Sequence, residues 1–174
     1  MDEIGACTIE VSRWRDTVVE RVGFDACGDY LELFWLPVIG PTSTWLLRRL
    51  AVMVVLHPDG FPLDNTALAQ SLGLGPNTSS QSSLVRSLQR LSIFGLVRMM
   101  GNRLEVRTVV PPLTMKQLAR LPEHLQNAHF LWSESHPSAA LEIAYSVTAR
   151  IETESTSGDR CPALVDSVVS VSAS

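Results

Sequence analysis

Asp64-Asn65-Thr66-Ala67-Leu68-Ala69-Gln70-Ser71-Leu72-Gly73, then Ser83-Leu84-Val85-Arg86-Ser87-Leu88-Gln89-Arg90-Leu91, then Phe94-Gly95-Leu96-Val97, is the stretch that decides the fold. Asp64 is an N-cap residue type in front of a short apolar repeat, and Gly73 is a left-handed stop, so a helix is predicted between them. Thr78 and Gln81 have capping-box spacing and predict the start of the next helix, in which Leu84, Val85, Leu88 and Leu91 recur on one face. At about 100° per residue, Ser79, Ser82, Ser83, Arg86 and Arg90 fall within roughly 100° of arc on the other face. That stripe carries no carboxylate. Its two guanidiniums, four residues apart, are expected to be free for an outside anion.

Downstream, Gly95 ends the helix, and Leu96–Met100 and Arg103–Val109 read as two strands joined by Gly101-Asn102 in a two-residue, type II′-like turn. That register pairs Met99 with Leu104, Val97 with Val106, and Arg98 with Glu105, and leaves Arg103 and Arg107 unpaired. Upstream, Thr42–Leu56 is long enough for a helix launched by Pro41 and stopped by Pro58-Asp59-Gly60. Its apolar residues cover most of the circumference, which predicts burial on more than one side. Tyr30–Leu36 is either a short helix or a strand and is the expected cover, through Tyr30, Leu33 and Phe34. Thr8–Trp14 alternates as a half-buried strand does.

Beyond Pro111-Pro112, Thr114 and Gln117 form another capping box, and Leu125, Ala128, His129 and Trp132 follow helical spacing. This stripe suits either internal packing or a dimerisation helix. Ser138–Ile151 continues as a helix, while Glu152–Ser174 is rich in Ser and Thr with little periodicity and reads as a disordered tail. The expected fold class is α+β, mostly α with a small β-hairpin. Its parts are an N-terminal extension over residues 1–36, a core domain over 37–110, C-terminal helices over 111–151 and a tail over 152–174.

The chain has 174 residues, 45% hydrophobic and 18% charged, which allows one folded domain with extensions and excludes a large multidomain enzyme. No apolar run approaches the ~20 residues of a membrane span, and the acidic Met1-Asp2-Glu3 start is unlike a secretory signal. A soluble, cytoplasmic protein is expected. Cys7, Cys27 and Cys161 contain no CxxC pair and read as free thiols. His124, His129 and His136 do not share a helical face, and no phosphate loop, GxSxG or HExxH is present. No metal, cofactor or catalytic residue is therefore expected. Charge is segregated: residues 1–36 set three Arg against eight carboxylates, residues 37–122 set nine basic residues against three acidic ones, and residues 123–174 set two against seven. A basic middle between acidic flanks points to an anionic partner for the middle.

The order helix, helix, helix, hairpin over Pro41–Val109 resembles a winged helix-turn-helix DNA-binding domain. The quoted stretch matches that family's positioning helix with a central Ala, its recognition helix, and a Gly-Leu-Val opening to the wing. Leu33-Phe34-Trp35-Leu36-Pro37-Val38-Ile39-Gly40-Pro41 is similar to the start of the winged-helix domains of bacterial primosomal helicase-loader proteins. The resemblance implies that the third helix enters the major groove and that the wing touches phosphate or minor groove. On that basis the DNA-binding residues are Ser79, Ser82, Ser83, Arg86, Arg90, Arg98, Asn102, Arg103 and Arg107, with Arg86 and Arg90 reading bases or gripping phosphates. The expected function is sequence-specific binding of double-stranded DNA, most simply by a dimeric transcriptional regulator. The alternative is a winged helix used as a protein-interaction module in a replication or other assembly.

Overall fold

The computed structural model describes residues 9–75 and 82–155, with side chains described as far as residue 147. The chain divides into two compact units, one running to Leu121 and the other starting at Pro122. Together they are mixed α and β, predominantly helical with a small sheet. Among the described residues no helix is long and apolar enough to cross a membrane.

The first unit opens with strand β1 (Ile9–Arg13), which buries Val11. Helix α1 (Thr17–Val22) is capped by Asp16, whose Oδ1 accepts from the Val18 and Val19 N–H groups at 3.1 and 3.2 Å. After β2 (Phe24–Asp25), Tyr30–Leu36 proves helical: Leu31–Trp35 is a π-helical turn in which the Leu36 N–H donates to the Leu31 carbonyl. It buries Leu31, Leu33, Phe34 and Trp35 and runs into the short α2 (Leu36–Ile39). Gly40, at φ 80°, then turns the chain into α3 (Pro41–Leu56), with Pro41 in the first turn, where no N–H partner is lost.

Burial of α3 is confined to one side. Leu46, Leu47, Leu50 and Val54 are buried, but Trp45, Val52, Val55 and Leu56 are exposed, so the expectation of an all-round buried helix does not hold. The cover comes chiefly from the helix over Ser83–Ile93, together with Leu36–Ile39, the sheet and the π-helical segment, and these leave the far side bare. Leu50 is wholly enclosed, and cutting it to Ala would cost about 2–5 kcal/mol.

A turn at Gly60 leads to β3 (Phe61–Leu63) and α4 (Asn65–Ser71), whose N-cap Asp64 accepts from Thr66 and Ala67 N–H. Gly73, at φ 69°, closes α4 with Leu74 N–H on the Ala69 carbonyl. Helix α5 (Ser83–Ile93) follows, with Ser82 as its N-cap; the Ser82 hydroxyl accepts from Val85 N–H at 3.2 Å. The Thr78–Gln81 capping box and Ser79 lie outside the described residues. Gly95 ends α5 with the same bond pattern as Gly73. The hairpin of β4 (Val97–Met100) and β5 (Arg103–Val106) has the expected register, including Met99 opposite Leu104 and Arg98 opposite Glu105. Gly101 takes the positive φ at its tip.

Four of the strands form a sheet in the order β3-β1-β5-β4, and β2 and Val109–Val110 form a separate two-stranded one. β1 is antiparallel to β3 and parallel to β5, with Val11 beside both Phe61 and Leu104. The N-terminal segment therefore supplies an interior strand. β6 (Val109–Val110) pairs with β2, and α6 (Met115–Leu118) carries the expected Thr114–Gln117 capping box. Two long-range bonds tie this end to the core: Trp35 Nε1–H donates to the Pro111 carbonyl and Leu113 N–H to the Tyr30 hydroxyl, each at 3.0 Å.

In the second unit, α7 (Glu123–Ser133) packs on α8 (Pro137–Ser155) with Ala128, Ala140 and Ala144 buried. Of the stripe on α7, Ala128 is buried and Leu125, His129 and Trp132 are half-buried. α8 runs past Ile151 to Ser155, so Glu152–Ser155 is helix where a tail was expected. Residues 156–174 lie outside the described residues.

Candidate nucleic-acid interface

The amphipathic sequence of α5 fixes what the helix presents. Leu84, Ser87 and Leu91 are buried, and Ser83, Arg86, Gln89 and Arg90 are exposed. Neither Arg86 nor Arg90 forms an ion pair among the described residues, as expected for a face without carboxylates. Among the described residues Arg90 makes one hydrogen bond, donating from Nη1 to the Ile39 carbonyl at 3.3 Å, which leaves most of its donors unused there. This bond leans Arg90 toward the start of α3. Between the two helices lies a cleft of about 490 Å³, lined among others by Thr42, Ser43, Arg86, Ser87 and Arg90.

Ser82 is not part of the exposed face. Its hydroxyl serves the helix end and the residue is buried, because an N-cap with φ −65° and ψ 153° stands outside the helical repeat on which the stripe was drawn.

The hairpin arginines are neutralised within the fold, contrary to the expectation that Arg103 and Arg107 are unpaired. Arg107 is buried; its Nε–H donates to the Gly95 carbonyl at 2.8 Å and its Nη2–H to Asp16 Oδ2 at 2.8 Å. Its guanidinium also stacks 3.7 Å from the Trp14 ring centroid. Arg98 pairs with Glu105 at 2.6 Å and lies 4.3 Å from the same ring. Arg103 at the tip reaches Glu10 at 4.0 Å, and the exposed Asn102 accepts from the Glu10 N–H through its carbonyl. Both partners of the supposedly unpaired pair come from the N-terminal segment, which hairpin register alone does not reveal.

The Arg107 guanidinium holds the Asp16 carboxyl below its ordinary range, helped by the capping bond from Val19 N–H. Arg98 and Arg107 are thus framework, while Arg86 and Arg90, with Ser83, are the outward-facing set. The motif pattern missed Trp14 and Asp16, which organise the hairpin base, and Thr42 and Ser43, which meet Arg90 across the cleft. A signal for the second pair was present: Gly40-Pro41-Thr42-Ser43 opens a long helix with no acidic residue in its first turn and no side-chain cap.

No protein-family model matches the chain, and comparison with curated proteins and with solved structures yields no match.

Proposed function

We propose that the protein binds double-stranded DNA through α5, in a winged-helix arrangement made by α3, β3, α4, α5 and the β4–β5 hairpin, and that it acts as a transcriptional regulator. The observation that carries this reading is the exposed Ser83, Arg86 and Arg90 face, whose guanidiniums have no carboxylate partner among the described residues. A helix of 11 residues is about 16 Å long and fits the major groove end-on or along its axis. The hairpin contributes less charge, since Arg103 is the one charged residue of β4–β5 that is exposed and it has Glu10 near it. A dimeric regulator reads two half-sites, and Phe130 and Tyr145 are the exposed aromatic positions of the α7–α8 unit available to such an interface.

The test is fluorescence anisotropy of the full chain with mixed-sequence duplex at two salt concentrations. Binding that weakens steeply with salt, and that Arg86→Ala with Arg90→Ala abolishes, is the expected result. Retention at low salt by that double variant, or no binding by the wild type, overturns the reading.

One observation favours a protein-interaction module instead. Trp45 (59% exposed), Val52, Val55 and Leu56 form an exposed apolar strip on α3. Such strips mark partner surfaces when they are contiguous. Under this second reading the wild type does not bind duplex, and Val52→Glu with Val55→Glu eliminates capture of a protein partner.

A further inference from the structure

We propose that the cleft between the start of α3 and the Arg86–Arg90 face is a phosphate-binding site, and that its occupant is a backbone phosphate of the bound duplex. The second half of this statement rests on the DNA-binding reading above; the first does not.

The start of α3 is built as a donor cluster. An α-helix leaves its first N–H groups without internal partners, and here Pro41 has none to leave, so the open donors are Thr42 and Ser43 N–H. Thr44 N–H is already taken by the Gly40 carbonyl at 3.0 Å. Gly40 provides no side-chain cap, and the first turn contains no acidic residue to neutralise the positive end of the helix. In a 16-residue helix that end carries its full partial charge.

Two further observations lift this above a bare helix terminus. Ser43 is 3% exposed and Ser87 is 7% exposed, yet both line the cleft and neither hydroxyl has a hydrogen-bond partner among the described residues. Neither hydroxyl oxygen is fully sealed from solvent, and both residues line the same cleft. Hydroxyls of nearly buried residues are ordinarily bonded, and an unbonded pair lining one space marks where an acceptor belongs. Arg86 and Arg90, one turn apart on α5, flank Ser87 and line the cleft with Ser43 of α3, and Arg90 is held toward the site by the Ile39 carbonyl. Gly40 completes the wall: at φ 80° it disfavours any side chain, and a Cβ there would lie 3.4 Å from Arg90 Nη1.

The donor set therefore comprises two amides, two hydroxyls and two guanidiniums, and no carboxylate among the described residues lines the cleft. Charge-assisted bonds from this many directions suit a tetrahedral oxyanion rather than a planar carboxylate. The cleft is open, so the phosphate is able to remain attached to a larger molecule. Arg86 and Arg90 then hold the strand rather than read its bases, and discrimination falls to Ser83 and Gln89 on the same helix.

The experiment is an amide-resolved NMR titration of the full chain with inorganic phosphate, with chloride and acetate at matched ionic strength, and then with a short duplex. Saturable shifts of the Thr42 and Ser43 amides with phosphate, absent with chloride and acetate, are expected, and the duplex should move the same amides. Ser43→Ala with Ser87→Ala, and separately Arg90→Ala, should each weaken phosphate binding by about tenfold. Amides that respond to phosphate but not to duplex confirm the site and assign it to a free phosphorylated ligand, removing the DNA occupant. Duplex binding seen by anisotropy with no shift at Thr42 and Ser43 in either titration overturns the phosphate site and leaves the DNA reading standing.

Discussion

Arg107 donates to Asp16 across 91 residues of sequence, at 2.8 Å, from a position where its guanidinium is buried and stacked on Trp14. A buried charge left without its partner is strongly destabilising, even where the intact pair contributes little. Asp16→Ala is expected to lower the melting temperature by several degrees through two losses, the ion pair and the cap of α1. Asp16→Asn keeps one oxygen for the cap and loses the charge together with the acceptor facing Arg107, so it should fall between wild type and Asp16→Ala in a thermal melt.

The same pair sets an acid dependence. The folded pKa of Asp16 is depressed, so its contribution is present above the ordinary carboxylate pKa and is lost as pH falls through the folded value. The stability gap between wild type and Asp16→Asn, followed by denaturant melts, should therefore narrow as pH drops below about 4. A gap that is constant with pH would contradict this assignment.

At alkaline pH the sensitive group is Tyr30. Burial pushes its phenol up to about 12, against a lowering by the Leu113 N–H bond. The neutral ring therefore stabilises fully below about pH 10, and that contribution disappears as pH rises toward the folded value. Tyr30→Phe removes the acceptor for Leu113 N–H and is expected to cost about 1–3 kcal/mol in urea denaturation at neutral pH.

Between α7 and α8, Ser135 sits at φ 65° where the helix-ending bond pattern ordinarily uses Gly; His136 N–H reaches the Leu131 carbonyl and Ser135 N–H the Trp132 carbonyl. Ser135→Gly relieves the left-handed strain at some cost in chain entropy. A net gain of up to about 1 kcal/mol is expected, read as a higher denaturation midpoint at unchanged slope.

For duplex binding, the division between framework and outward-facing arginines makes a paired prediction. Arg86→Ala and Arg90→Ala should each reduce the salt dependence of binding by about one counterion and leave the melting temperature nearly unchanged. Arg107→Ala should do the reverse, lowering the melting temperature with an unaltered salt slope. Anisotropy and calorimetry on the same three variants separate the two roles.

What could be read in advance was local. Asp64, Gly73, Gly95, Gly101 and the Thr114–Gln117 box act within a few residues of themselves, and each performs the role its residue type and spacing predict. Ser82 leaves the exposed face because it is the N-cap of α5, with φ and ψ outside the helical repeat that its spacing to Arg86 and Arg90 presumes. The one-sided burial of α3 escaped because apolarity around a helix reports what it is able to bury and not what is available to cover it. Asp16 against Arg107, and Ser43 beside Ser87, depend on tertiary placement that no periodicity encodes.

The interior position of β1 also shapes how the molecule is made. Residues 9–13 leave the ribosome with neither neighbour yet synthesised: β3 lies some fifty residues later and β5 more than ninety. The β4–β5 hairpin closes locally and fast, but the sheet is complete only when a strand made long before its partners inserts between two later ones. Until then β1 keeps at least its β5-facing edge unpaired, so nascent chains arrested before Val106 should be the aggregation-prone species and the ones that engage chaperones.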